Sequence, residues 1–145
     1  MKIDVIHRDL KPGNVMIHNG VVKLGDFGFC VQMEKGEKAK AMVGSPVYMA
    51  PEILRGRLYD NKCDIYSLGS LIYELLFSVC PYEDNTIEGL KRQIDHGTIS
   101  FPRHINNISK ETEVLLRKML VPSPSMRINW EELFNYDFSY INKVK

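Results

Sequence analysis

The sequence has few cysteines and no long apolar run, and both facts narrow the class of protein. Its three cysteines, Cys30, Cys63 and Cys80, are odd in number and form no C-x-x-C pair, which favours reduced thiols over a disulfide framework. We therefore expect a cytoplasmic protein, with the nucleus as the alternative compartment. The longest apolar run, Ile65 to Cys80, is shorter than the roughly 20 residues that span a membrane, and it contains Glu74. No membrane insertion is expected.

The sequence also lacks an excess of charge of one sign. Its 19 Lys and Arg residues and 18 Asp and Glu residues are interspersed and give a formal net charge of +1. This balance gives no reason to expect nucleic acid as a partner. His18, His96 and His104 share no ligand spacing with each other or with cysteine, so these histidines predict no metal site. A chain of 145 residues that is 44% hydrophobic suffices for one domain with one core.

Residues 6–28 contain the strongest local signal in the sequence, a β-hairpin. The runs Val15–His18 and Val21–Leu24 are rich in β-branched residues and flank the pair Asn19-Gly20. Asn and Gly both tolerate positive φ, which a two-residue hairpin turn requires. The pattern predicts that the segment folds back on itself, so that residues just before the first strand meet residues just after the second.

Four polar residues flank this hairpin at its open end, and we expect them to share one pocket. Asp9, Lys11 and Asn14 precede the first strand, and Asp26 follows the second. Asn14 and Asp26 supply the hard oxygen ligands that Mg²⁺ prefers. Phosphoryl transfer mainly requires neutralised charge and an oriented hydroxyl, so Asp9 can accept a hydroxyl proton while Lys11 meets the γ-phosphate. The set of residues therefore predicts phosphoryl-transfer chemistry.

Three motifs resemble those of eukaryotic protein kinases. His7-Arg8-Asp9-Leu10-Lys11-Pro12-Gly13-Asn14 resembles the catalytic loop, Asp26-Phe27-Gly28 the magnesium motif, and Ala50-Pro51-Glu52 the end of the activation segment. They occur in the family's order and at its spacing, and the resemblance runs from Ile6 to about Ile141. It implies a partial kinase domain over residues 1–145 that is mainly α. This carboxy-terminal lobe has a small β-hairpin at its catalytic end, a catalytic loop at 7–14, an activation segment at 26–52 and a helical subdomain at 62–141.

The resemblance also implies an activity. We expect a signalling protein serine/threonine kinase that transfers the γ-phosphate of ATP to Ser or Thr hydroxyls of a protein substrate. Asp9 is then the proton acceptor, Lys11 meets the phosphate, and Asn14 and Asp26 hold Mg²⁺. Tyrosine kinases lack the lysine at the Lys11 position, so the resemblance implies a Ser or Thr acceptor. Ser45 takes the place of the family's Thr, whose hydroxyl bridges Asp9 and Lys11. PAK-like and ULK-like features coexist, and the subgroup stays open.

The family's amino-terminal lobe has no counterpart in the residues before the catalytic loop. Only six residues precede His7, and Lys2 is in no position to replace the Gly-rich loop, the strand lysine or the hinge. We therefore expect half an ATP site, with the other lobe lost to truncation, gene-model error or fragment boundaries, and little turnover by the chain alone. The alternative is a non-catalytic, kinase-derived interaction module. In either case, Leu10 and Phe27 should be exposed to the missing lobe or to a partner protein.

Residues 29–43 mix charged side chains without periodicity, which predicts a mobile loop. In the family this is the activation loop, and Arg8 resembles the arginine that receives its phosphorylated residue. This stretch contains no Ser, Thr or Tyr, and Ala41 stands where related kinases commonly have a phosphorylated Thr. Two alternatives remain. Either Glu34 or Glu37 supplies the anion, or Arg8 is only structural, and we favour the second.

The rest of the sequence predicts helices. Asp64 to Phe77 is apolar almost all round, which indicates a central buried helix, and Pro81 is expected to end it. The resemblance implies that Asp64 accepts hydrogen bonds from the backbone of the catalytic loop. A second helix is predicted over Thr86 to His96, with Asp84 and Asn85 as candidate caps.

Two further helices are predicted near the end of the sequence. Ser109 to Leu120 has an apolar stripe that includes Val114. Asn129-Trp130-Glu131-Glu132 has the pattern of a capping box that opens a last short helix. The resemblance implies that Arg127 pairs with Glu52 and that this pair is structural.

Overall fold

Short strands occupy the first part of the chain and helices the rest, which confirms the predicted mainly α lobe. The computed structural model describes residues 4–34 and 36–140. Ile3, which alternates with Val5 in the sequence as in a short strand, lies outside the described residues, as do Lys2, Lys35 and Ile141. The strands are β1 (Asp4–Ile6), β2 (Val15–His18), β3 (Val21–Leu24) and β4 (Val31–Met33). The helices are α1 (Pro51–Leu54), α2 (Lys62–Phe77), α3 (Ile87–His96), α4 (Lys110–Met119) and α5 (Trp130–Phe134). Within the described ranges, each helix is too short or too polar to cross a bilayer.

β2 and β3 form the predicted hairpin. The strands are antiparallel, with Val15 opposite Leu24 and Ile17 opposite Val22. Asn19 has φ 50° and Gly20 has φ 73°, the pair of positive values that matches the right-handed twist of the two strands. Ile17 is 76% exposed and Val22 is 67% exposed. The turn and the strand pairing therefore hold the hairpin together, with little help from a core.

A second two-stranded sheet, β1 with β4, was not predicted. The strands are antiparallel, and Ile6 lies opposite Val31. Ile6 and Met33 are both buried in the main core. The expectation of a loop throughout residues 29–43 is therefore wrong for β4, because a strand of three residues is too short to show a period in the sequence. This sheet attaches the beginning of the activation segment to the strand that precedes the catalytic loop.

α2 lies at the centre of the helical body. Most of its residues are buried, as predicted, although Leu75 is 68% exposed. α4 packs closely against it at Gly69, where a Cβ atom would lie only 3.0 Å from the Met119 Cβ atom. The absence of a side chain at residue 69 therefore lets the two helices approach each other.

α2 ends at the predicted residue, Phe77, but its start and the cause of its termination differ from the sequence prediction. The helix begins at Lys62, before the predicted start at Asp64. It ends at Phe77 because Ser78 adopts a left-handed conformation with φ 60° and donates its N–H to the Glu74 carbonyl at 2.7 Å. Pro81 lies beyond this cap, so the prediction that Pro81 ends the helix was wrong.

α3 starts at a cap that differs from the two candidates. Thr86 Oγ1 accepts the Gly89 N–H at 3.0 Å, so Thr86 is the capping residue, in place of Asp84 or Asn85. Asp84 supports the cap from outside, because its Oδ1 accepts both the N–H and the hydroxyl of Thr86 at 2.8 Å.

α4 and α5 also begin at side-chain caps. Ser109 Oγ accepts the Thr112 N–H at 3.1 Å at the start of α4. The capping box of α5 is confirmed: Asn129 Oδ1 accepts the Glu132 N–H at 2.8 Å, and Glu132 Oε2 accepts the Asn129 N–H at 3.0 Å. Val114, expected on the apolar stripe of α4, is exposed, and the stripe consists of Leu115, Leu116 and Met119.

Arg127 and Glu52 form a buried ion pair that joins α1 to the segment before α5. The two hydrogen bonds, from Nη1 to Oε1 and from Nη2 to Oε2, measure 2.7 and 2.9 Å. Arg127 is 2% exposed and Glu52 is 4% exposed. Further guanidinium N–H groups donate to backbone carbonyls, those of Val121, Lys62 and Pro122. The structural pair implied by the family resemblance is therefore confirmed.

We expect Arg127→Ala to lower the free energy of unfolding by about 3–5 kcal/mol, because it leaves a buried carboxylate without its partner. Urea denaturation of the chain measures this loss. The control is Arg103→Ala, since Arg103 is an exposed arginine 3.6 Å from Glu113, and its loss should cost less than about 1 kcal/mol. Equal losses in the two variants would contradict the structural role of the buried pair.

Candidate active site

Asp64 fixes the catalytic loop, residues 7–14, to α2. Its Oδ2 accepts the His7 N–H at 2.6 Å, and its Oδ1 accepts the Arg8 N–H at 2.9 Å. Burial raises the pKa of Asp64, although these two hydrogen bonds act in the opposite direction. Arg8 has φ 69°, a left-handed conformation that is strained in a residue with a side chain. The contact implied by the family resemblance is thus present, and it holds the loop in a strained conformation.

His7 connects the catalytic loop to the residue before Asp26. Its Nε2 atom lies 3.2 Å from the Gly25 carbonyl oxygen, and the Asp9 N–H donates to its Nδ1 atom at 3.4 Å. A carbonyl only accepts and an amide N–H only donates, so the ring proton lies on Nε2. His7 is buried, and it links the two ends of the hairpin.

Asp9, Lys11 and Ser45 form a closed ring of polar contacts, which we call the catalytic ring. Lys11 Nζ lies 2.8 Å from Asp9 Oδ2 and donates to Ser45 Oγ at 2.9 Å. Ser45 Oγ in turn donates to Asp9 Oδ1 at 2.9 Å. The Asp9 side chain is 3% exposed and the Lys11 side chain is 31% exposed, so solvent reaches the ring from the lysine side.

The environment of Asp9 keeps its carboxylate ionised at neutral pH. Burial alone would raise the pKa of Asp9. Hydrogen bonds from Lys11, Ser45 and Asn14, together with the Lys11 charge, outweigh burial and hold the pKa of Asp9 below its usual value. The site therefore contains a proton-accepting group beside a cation and a hydroxyl.

Asn14 contacts Asp9 from inside the catalytic loop. Its Nδ2 atom donates to the Asp9 carbonyl at 2.8 Å and to Asp9 Oδ2 at 3.1 Å. The residue is buried at the end of a 3₁₀ turn, Pro12–Asn14. Because both amide hydrogens point to Asp9, the amide oxygen is the atom of this side chain that could bind a cation.

Asp26 lies next to Asn14 along the hairpin backbone, in an exposed turn. The Gly25 N–H donates to the Asn14 carbonyl at 2.8 Å, and Asp26 follows with φ 56°. Asp26 Oδ1 accepts the Gly28 N–H at 3.2 Å. In the part of the chain that the structure describes, no hydrogen bond or ion pair joins the Asp26 side chain to Asp9, Lys11 or Asn14. Four of the five predicted site residues, Asp9, Lys11, Asn14 and Ser45, are therefore joined by side-chain contacts, and Asp26 is their neighbour through the backbone.

Gly44 brings Ser45 to the catalytic loop, and sequence reasoning missed this role. Gly44 has φ 109°, and a Cβ atom there would lie 2.3 Å from the Arg8 carbonyl oxygen. Only glycine fits this approach without displacing the backbone. The one available signal was the glycine immediately before Ser45-Pro46.

The Arg8 side chain has uncharged partners. Its Nε donates to the Phe29 carbonyl at 2.5 Å, and its Nη1 donates to the Tyr59 hydroxyl at 3.2 Å. Glu37 Oε2 accepts the Glu34 N–H at 2.9 Å, and neither glutamate pairs with Arg8 within residues 4–34 and 36–140. Of the two alternatives, the structure supports a structural Arg8.

The catalytic end has an exposed apolar surface. Phe27 is 62% exposed, as expected, and its ring contacts His7 edge-on with the centroids 5.4 Å apart. Leu10 is only 7% exposed, so the expectation of an exposed Leu10 was wrong. We call the exposed apolar side chains at this end the hairpin surface: Val5, Met16, Ile17, Val21, Val22 and Phe27.

Comparisons with known proteins agree with the motifs. The family model described as protein kinase domain matches residues 2–139. The chain is 34% identical over 142 residues to the serine/threonine-protein kinase atg1 of Dictyostelium discoideum, which covers 95% of this chain and 21% of the relative. It is 34% identical over 140 residues to the serine/threonine-protein kinase ATG1b of Arabidopsis thaliana, covering 93% of this chain and 20% of the relative.

A third relative belongs to another group of kinases. The Aurora kinase of Candida glabrata is 39% identical over 126 residues, which is 86% of this chain and 34% of that protein. The chain thus spans about a fifth to a third of the length of these relatives. The matched family model and the relatives show that the chain belongs to the eukaryotic serine/threonine protein kinase family, and the motif order and the contacts of Asp64 and Arg127 agree.

Proposed function

We propose that these residues form the catalytic lobe of a protein serine/threonine kinase, which transfers the γ-phosphoryl group of ATP to Ser or Thr hydroxyls of proteins. The observation that carries the proposal is the catalytic ring. Its ionised carboxylate, ammonium and hydroxyl are joined by contacts of 2.8 to 2.9 Å. We further propose a cytoplasmic or nuclear location, with which the free thiols of Cys30, Cys63 and Cys80 agree.

In the proposed reaction, Asp9 orients the substrate hydroxyl and accepts its proton. The hydroxyl oxygen forms a bond to the γ-phosphorus, the bond from that phosphorus to the bridging oxygen breaks, and ADP leaves. Lys11 neutralises charge on the transferred group, since the transition state has its charge on the phosphoryl oxygens. Ser45 holds both side chains in position. The lowered pKa of Asp9 supports this role, because a proton acceptor must be deprotonated before the reaction.

Asn14 and Asp26 are the residues that would hold Mg²⁺. One amide oxygen and one carboxylate are few ligands, which suits Mg²⁺ because it usually keeps several waters and binds phosphate oxygens. When bound, the metal would neutralise phosphate charge. The Asn14 amide nitrogen donates to Asp9, which leaves the amide oxygen as the atom that would bind the metal.

The hairpin surface supports a second part of the proposal, that another lobe or a partner protein covers this end of the molecule. Ile17 and Val22 lie opposite each other, and both are largely exposed. An amino-terminal kinase lobe docked there would complete the nucleotide site. A non-catalytic interaction module would use the same surface. The two proposed functions therefore differ in whether phosphate transfer depends on Asp9.

The Asp9→Asn substitution tests the catalytic role. We expect the 145-residue chain alone, with Mg²⁺, labelled ATP and a generic protein substrate, to transfer label at background level. A chimera in which the amino-terminal lobe of the Dictyostelium relative precedes the chain should transfer label. Asp9→Asn should then lower the rate by about 10²- to 10⁴-fold, the usual contribution of a general base. Asp95→Asn, at a surface pair with Arg55, is the matched control. A folded chimera without Asp9-dependent transfer would favour the interaction module.

Substitutions of Ser45 test the catalytic ring. Ser45→Ala removes the hydroxyl that joins Lys11 to Asp9, and we expect it to lower transfer by the chimera about 10- to 100-fold, as for the loss of a hydrogen bond to charged groups. Ser45→Thr keeps the hydroxyl and should retain most of the activity. An equally active Ser45→Ala variant would show that the hydroxyl has no role in transfer.

Dye binding tests the hairpin surface. We expect the chain alone to bind a fluorescent hydrophobic dye, because the hairpin surface presents several largely exposed apolar side chains to solvent. The double substitution Ile17→Lys with Val22→Lys should reduce dye binding, whereas Leu75→Lys, on the exposed side of α2, should not. A monomeric chain that binds no dye would contradict the docking proposal.

A further inference from the structure

Tyr59 lies between the catalytic loop and the activation segment. Its hydroxyl accepts a hydrogen bond from Arg8 Nη1 at 3.2 Å and donates one to the Ala41 carbonyl at 2.7 Å. The single proton of a phenol can go to only one acceptor, and the carbonyl cannot donate, so these two bonds have a defined direction. Tyr59 is 2% exposed. One buried hydroxyl thus joins the two segments.

The backbone of Tyr59 also pairs with the activation segment. The Ala39 N–H donates to the Tyr59 carbonyl and the Tyr59 N–H donates to the Ala39 carbonyl, both at 2.9 Å. This antiparallel bridge pairs Ala39 with Tyr59, which lies shortly before the start of α2. The hydroxyl then fixes Ala41, two residues further along the chain. Main chain and side chain of one residue therefore hold successive parts of the same segment.

From Ala41 the chain runs directly to the catalytic ring. Gly44 packs on the Arg8 carbonyl oxygen, and Ser45 hydrogen-bonds to Asp9 and Lys11. Residues 39–45 are thus anchored at both ends on groups that belong to, or contact, the catalytic loop. A short segment fixed at both ends has few conformations to lose when Ser45 reaches its partners.

The part of the activation segment that precedes Gly44 has no side chain that could carry a phosphate to Arg8. Residues 29–43 contain no Ser, Thr or Tyr. Two of the guanidinium donors of Arg8 already bond to the Phe29 carbonyl and the Tyr59 hydroxyl, which are both uncharged. The segment is therefore ordered around this arginine by neutral groups of the chain itself.

We propose that Tyr59 is a positioning residue. Through Arg8 and Ala41 it anchors residues 39–45 on the catalytic loop, and it takes the place of a phosphorylated side chain, so that Ser45 reaches Asp9 without any modification. The effect on phosphate transfer rests on the proposed kinase function. The anchoring itself is a property of the folded chain and can be measured without activity.

Tyr59→Phe removes the hydroxyl and keeps the ring and the backbone bridge. We expect amide hydrogen exchange over residues 41–45, followed by mass spectrometry on the 145-residue chain, to become about 10-fold faster, as for the loss of one or two hydrogen bonds. Trypsin cleavage after Lys38 and Lys40 should accelerate as well. Tyr73→Phe is the matched control, because the Tyr73 hydroxyl also donates to a backbone carbonyl, that of Ser100, at 2.7 Å. It should leave exchange over 41–45 unchanged.

Two exchange results would overturn the anchoring. One is native-like exchange over residues 41–45 in Tyr59→Phe. The other is an equal acceleration in Tyr59→Phe and Tyr73→Phe, which would indicate general destabilisation. Urea denaturation of each variant, together with exchange of the amides of β2 and β3, provides the measure of overall stability and folding.

Inorganic phosphate distinguishes positioning through Arg8 from simple packing. In Tyr59→Phe the guanidinium loses one acceptor, so millimolar phosphate should slow exchange over residues 41–45 relative to chloride at equal ionic strength. The native chain should respond less, because two of its Arg8 donors already bond to the Phe29 carbonyl and the Tyr59 hydroxyl. Equal protection of the native chain and the variant by phosphate, or no protection of the variant, would show that Tyr59 does not take the place of a phosphorylated side chain.

Discussion

Asp64 accepts two backbone hydrogen bonds from the catalytic loop, and the geometry of the candidate site depends on them. They hold Arg8 at φ 69°, a conformation that the loop would not keep without compensation. The next residue is Asp9, so the same two bonds set where its carboxylate meets Lys11 and Ser45. α2, which carries Asp64, is buried along most of its length, and a helix packed in this way moves little. The Asp64 side chain therefore connects the packed core to the backbone of the candidate site.

Asp64 and Asp9 are both buried carboxylates, and their pKa values move in opposite directions. Asp64 accepts hydrogen bonds from neutral amides, which do not outweigh the cost of burial, so its pKa is raised. Asp9 has a cation within 2.8 Å and donors from Ser45 and Asn14, which do outweigh that cost, so its pKa is lowered. The difference suits two roles: Asp64 holds the backbone of the loop, and Asp9 is the ionised proton acceptor of the proposed reaction. The partners of each carboxylate therefore fit its role: Asp64, with neutral partners, is structural, and Asp9, beside a cation, is the proposed proton acceptor.

Local signals in the sequence predicted local structure well. Asn19-Gly20 predicted the hairpin turn, and Asn129 with Glu132 predicted the cap of α5, because each depends on residues within a few positions. The contacts of Ser45 with Asp9 and Lys11 followed only from the family resemblance, since more than thirty positions separate them. Features without a local signal or a motif were missed or mistaken. They are the pairing of β4 with β1, the left-handed Ser78 that ends α2, the burial of Leu10, and the contacts of Gly44 and Tyr59.

The activation segment is held at three places, and each contact has a neutral acceptor or donor on the segment side. β4 pairs with β1, Ala39 and Ala41 bond to Tyr59, and Gly44 with Ser45 lies on the catalytic loop. A phosphate held by an arginine is a charge–charge contact, which salt screens at an exposed site and which a phosphatase removes. Backbone hydrogen bonds and a buried phenol are not screened by salt in this way and cannot be removed by a phosphatase. If order in this segment is what brings Ser45 to Asp9, that order is built into the sequence itself. The exposed hairpin surface, which the proposed second lobe or partner protein would cover, is then the other part of the fold on which the proposed activity would depend.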